Sequence, residues 1–134
     1  MRLDGQAMRL TILVGETDQW HHRPVYTEIV HRAHATGLAG ATVLHGIAGY
    51  GFSARIHTSG ILSLGDHLPA AIIIVDDERR IRAFLPHLDE VMDGGLVMLE
   101  PVEVRRHLPA DPARPVARRR PLRHRRPWRG PREA

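Results

Sequence analysis

The sequence predicts an α+β domain of order βαββαβ, the ferredoxin-like split fold: a four-stranded antiparallel sheet with two helices on one face. Three observations predict it. Four short apolar runs and two stretches of helical periodicity follow one another in that order. Two right-handed βαβ units in so short a chain interleave into a single sheet. The 134 residues, 43% of them hydrophobic, suffice for one domain of ordinary size and not for two.

The first strand is "RLTILVG", residues 9–15, a β-rich apolar run stopped by Gly15. "ETDQWHHR" then reads as a polar loop. Pro24 suits the first turn of a helix, where its missing N–H costs nothing. Val25, Ile29 and Ala33 fall at i, i+4 and i+8, with Tyr26 and Val30 in the adjacent row, so one stripe is apolar. Gly37 is a natural C-terminal stop.

"GATVLHG" (40–46) is the second strand and "LPAAIIIVDD" (68–77) the third. Asp76 or Asp77 can cap the second helix, whose apolar positions are Ile81, Phe84, Leu85, Leu88 and Met92. Pro86 predicts a kink or restart there. Asp93-Gly94-Gly95 ends the helix. "LVMLEPVEV" (96–104) is the fourth strand, and Pro101 argues for an edge position or a break.

The third strand does not alternate apolar with polar, so both of its faces should be buried. The helices cover one face, and the other needs a second subunit. The sequence therefore predicts a homo-oligomer.

Two segments stand outside this frame. Residues 47–67 form a connection longer than the roughly 12–15 residues usual for irregular loops, a length that marks functional or disordered segments. Residues 109–134 hold 9 Arg against two acids, whereas residues 1–108 hold 10 Arg against 13 acids. The domain spans 8–108 and is acidic; the tail is basic and Pro-rich, and is expected to be disordered. It suits nonspecific contact with nucleic acid, with Trp128 available to stack on a base.

Cysteine and lysine are absent. That excludes disulfides, thiolate metal sites, a Cys nucleophile, a P-loop lysine and a Schiff-base lysine. No apolar run is long enough for a transmembrane helix, and no signal peptide is recognisable. A cytoplasmic location is expected. No serine elbow or paired-carboxylate frame is present, so an enzyme is not expected.

The candidate ligand residues cluster around "GIAGYGFSARIHT" (46–58). Gly46, Gly49 and Gly51 can bring backbone N–H groups close to an anion. Arg55 offers a planar fork for phosphate oxygens, and His57 a second donor. Arg105 and Arg106 end the last strand, where alternation sends them to opposite faces. Each has a plainer reading: a mobile strand end, a solvated loop cation, or charge protecting an edge. A metal site from Glu16, Asp18, His21 and His22 would need three or four convergent ligands.

Gly15-Glu16, the histidines before Pro24 and Tyr26, "GLAGATV" (37–43), Gly49-Tyr50-Gly51 and Arg55-Ile56-His57 together resemble "domain of unknown function 190". That family looks distantly similar to the PII signalling proteins, and the match covers about residues 8–106. The resemblance implies a PII-like homotrimer with ligand sites in the clefts between subunits and an adenine nucleotide as the candidate effector. It implies a regulatory loop over 47–67 that acts on a partner, with a membrane transport or channel protein as the candidate. It also adds Gly94 and Gly95, in the turn before the last strand, to the ligand residues. That turn lacks the lysine found in PII proteins, and Arg105-Arg106 stand where a PII core has two arginines.

Overall fold

A computed structural model describes residues 3–51 and 68–107. Its elements are β1 (Gly5–Gly15), β2 (Gln19–Trp20), β3 (Arg23–Pro24), α1 (Val25–Ala35), β4 (Thr42–His45), β5 (Pro69–Asp76), α2 (Glu78–Val91) and β6 (Leu96–Val104). Arg55, His57, most of the 47–67 loop and the tail lie outside the described residues.

The main sheet has the order β4-β5-β1-β6, with every neighbour antiparallel. This is the order that two interleaved right-handed βαβ units produce. Even-numbered residues of β1 face the helices. Leu10, Ile12 and Val14 pair with Ile74, Ile72 and Ala70, and all six are inaccessible to solvent. Val25, Ile29 and Ala33 of α1 close over them, together with Ile81, Phe84, Leu88 and Val91 of α2.

The helix ends follow their local chemistry. Gly37 takes φ +77° after α1; its N–H donates to His34 O at 3.1 Å, and that of Leu38 to Ala33 O at 3.0 Å. This is a Schellman ending, which glycine permits. Asp77 caps α2 by accepting from Arg79 N at 2.8 Å. Asp76, the other cap candidate, is fully buried instead and accepts from Ala39 N and Asp77 N at 2.8 and 2.7 Å. It ties the start of the α1–β4 connection to the end of β5.

Three expectations change. β1 begins at Gly5, four residues earlier than its apolar run, because Gly5 to Met8 pair with Pro101 to Val104 of β6. The "polar loop" contains a small hairpin, in which Gln19 and Trp20 face Pro24 and Arg23 across His21 and His22 at φ +46° and +66°. α2 runs through Pro86 without restarting, since residues on both sides of it, Phe84 and Leu88, are anchored in the core. Pro101 does lie on an edge strand, β6.

β5 is buried on one face only within the single chain. Ala70, Ile72 and Ile74 are sealed, whereas Ala71, Ile73 and Val75 are half-buried. These three share the helix-free face with Leu13, Leu44 (54% exposed), Leu96 and Met98 (40% exposed). Arg9 spans the same face, donating from Nε to Glu100 at 2.7 Å. The helix-free face is thus an apolar surface crossed by one ion pair.

Candidate functional site

The strand register sorts the candidate residues into two groups. Gly46 follows β4 and Gly95 precedes β6, at the end of the sheet where β1 finishes. Arg105 and Arg106 follow Val104, which pairs with Gly5 at the opposite end. From Leu96 to Val104 is eight rises of about 3.3 Å, or about 26 Å. Within one chain, Arg106 therefore cannot share a small ligand with Gly95.

At the loop end, the structure gives packing reasons for two of the glycines. A Cβ on Gly46 would lie 2.4 Å from Pro69 Cγ, and the Gly46 N–H donates to Pro69 O at 2.7 Å. A Cβ on Gly95, at φ +112°, would lie 2.4 Å from Leu13 O. Gly94 is half-buried beside it. Gly51, at φ +91°, has open space around it. Ile47 and Tyr50 are 95% and 80% exposed where the long loop begins. His45 Nδ1 is 3.5 Å from Glu16 Oε1, and its ring meets Tyr26 edge-on at 5.2 Å.

At the other end a cavity of about 380 Å³ opens on the helix-free side. Leu3, Ile73, Val75 and Val104 form its apolar floor, residues 39–42 one wall, and Arg106 and His107 the rim. Its volume lies in the range of ligand pockets, which are mostly apolar with a few placed polar groups. Thr42 contributes the hydroxyl. None of the ion pairs among the described residues involves Arg106. The buried Nδ1 of His107 has no hydrogen-bond partner among them either. Arg105, which follows the end of β6, does not line the cavity.

The 39–42 wall carries no titratable group, so a search for charged residues passes over it. Its only sequence signal is that it lies inside "GLAGATV".

The 16–22 residues have other occupations. Asp18 accepts from Gly15 N at 3.0 Å, and His21 stacks on Trp20 at 4.0 Å between ring centroids. Among the described residues, no three His, Asp or Glu side chains are close enough to hold a metal.

A second polar centre, which the sequence reading passed over, lies on the helical side. Arg32 pairs with Glu28 on its own helix at 3.0 Å and with Glu90 of α2 at 2.7 Å, and sits 4.9 Å from the Trp20 ring centre. Hydrogen bonding to Arg32 holds the Glu28 carboxyl below the usual carboxylate range against the opposing effect of burial, and lowers that of Glu90 as well. The two carboxylates in turn raise the guanidinium. This network fastens α1, α2 and the small hairpin together.

The family DUF190, described as "Uncharacterized ACR", matches residues 7–104. The chain belongs to this family. Among its curated relatives, a UPF0166 protein of Aquifex aeolicus (strain VF5) is 37% identical over 95 residues, covering 71% of this chain and 90% of the relative. A UPF0166 protein of Methanocaldococcus jannaschii is 35% identical over 95 residues, covering 70% and 87%. Two solved structures of CPII from Thiomonas intermedia K12 are similar in fold. One is bound to ADP, AMP and acetate (TM-score 0.53, 14% identity, 75% of this chain and 89% of that one). The other is bound to ADP and bicarbonate (TM-score 0.50, 20% identity, 74% and 88%). The DUF190 chain thus has a PII-like ferredoxin fold.

Proposed function

We propose that this DUF190 protein is a PII-like regulatory module. Three copies assemble through the helix-free sheet face, and a small anionic ligand, an adenine nucleotide, binds in the cleft that the assembly closes. The observation that carries the reading is the cavity beside the apolar face: an apolar floor, a guanidinium on its rim with no ion-pair partner among the described residues, and an open side that a neighbouring copy can cover.

The register adds to this. Arg106 and the glycine turns occupy opposite ends of one sheet, so only a neighbour can bring the loop end of one copy to the Arg106 end of another. The adenine nucleotides bound to CPII support the choice of ligand. No catalytic group is needed. Ligand bound between copies would favour one state of the 47–67 loop, whose first residues expose Ile47 and Tyr50 to a partner.

Light scattering and calorimetry on the full chain test this together. A trimer that takes up AMP or ADP is expected. A monomer that gives no binding with adenosine or any adenine nucleotide would refute it.

A further inference from the structure

Resting on that reading, we infer that the site is built for a nucleotide carrying one phosphate, and discriminates against a triphosphate. The ground is charge. Among the described residues, Arg106 and His107 are the only titratable groups lining the cavity. Arg105, the adjacent cation, does not line it. One guanidinium fork pairs with one phosphate in bidentate fashion, and a phosphate monoester carries about −1.5 to −2 at pH 7. The one fixed positive charge of the rim offsets most of a monophosphate's first negative charge, and each further phosphate adds charge that nothing on the rim offsets.

The loop end of a neighbour would not supply the difference from its described residues. Among the described residues, the turns beside Gly46 and Gly95 carry Glu16 and Asp93, His45 faces Glu16, and the chain has no lysine. Leu13 O occupies the place where a Gly95 side chain would stand. Of the described residues there, the Glu16 and Asp93 carboxylates would face distal phosphates, and like charges repel at this range.

The test is calorimetric titration of the full chain with adenosine, AMP, ADP and ATP, at matched ionic strength and without magnesium. AMP is expected to bind tightest and ATP at least tenfold more weakly. Arg106→Ala should remove the advantage of AMP over adenosine while leaving adenosine binding in place, and Arg106→Lys should restore part of it. ATP binding more tightly than AMP, or Arg106→Ala binding AMP like the unmodified chain, overturns this inference and leaves the regulatory reading standing. Absence of binding by all four overturns the regulatory reading, and this inference falls with it.

Discussion

Leu44→Glu puts a carboxylate on the helix-free face with little harm to the isolated fold. Leu44 lies on edge strand β4, opposite Ala71, and is 54% exposed in the single chain. Full burial of a leucine side chain contributes about 1.5–3 kcal/mol. Roughly half of that is still to be gained on assembly, so about 1 kcal/mol per copy and about 3 kcal/mol per trimer are lost with the side chain. Enclosing an unpaired carboxylate costs several kcal/mol more, or forces it to stay protonated. Trimer formation should therefore weaken by about a hundredfold or more, since each 1.4 kcal/mol is a factor of ten. Sedimentation equilibrium at micromolar concentration reads the mass, and circular dichroism checks that the protomer still folds. The same trimer mass for the variant and the unmodified chain would refute the claim that this face is the assembly surface.

Three other perturbations probe the supports of the site. Asp76→Ala orphans the N–H groups of Ala39 and Asp77, at about 1–3 kcal/mol each. Urea unfolding should show a loss of about 2–6 kcal/mol, with a smaller loss in Asp76→Asn, which keeps one acceptor. Gly95→Ala should lower the thermal midpoint through its overlap with Leu13 O and its positive φ, at a cost of about 1–3 kcal/mol. A variant of unchanged stability that no longer binds ligand would make Gly95 a ligand residue instead. The Glu28 and Glu90 carboxyls are depressed by Arg32, so their contribution is complete above the ordinary carboxylate range and is lost as pH falls through their lowered values. Arg32→Met should flatten that acid limb in urea titrations between pH 6 and 3, and an unchanged slope would refute the assignment.

The periodicities that define β5, α1 and α2 were legible because burial demands them: Ile72 and Ile74 meet β1, and Phe84 and Leu88 meet the sheet. What depends on a distant partner was not legible. Gly5 to Met8 form a strand only because β6 lies beside them. The His21-His22 turn lacks the Asn-Gly or Asp-Gly signature of a two-residue hairpin. Pro86 looks like a break locally, yet the core contacts on either side hold the helix through it. The half-buried outer row of β5 was readable from the run "AAIIIV", which has no polar residue to turn outward.

The site was legible in part. Arg105 and Arg106 were marked by their place at the end of the last strand and were expected on opposite faces, but the sequence could not say which of them lines a cavity or that residues 39–42 wall it. Gly46 and Gly95 drew attention as anion-binding glycines. The close approaches of Pro69 and Leu13 give glycine a packing reason at both positions, and such contacts join residues that are far apart along the chain.

The most direct test of the central claim is an AMP titration of the isotope-labelled full chain, followed by amide chemical shifts. The account predicts that the changes centre on Ala39 to Thr42 and on Arg106 and His107, in a particle of trimer mass. Changes confined to the small hairpin around His21 and His22, or no changes at saturating AMP, would contradict it.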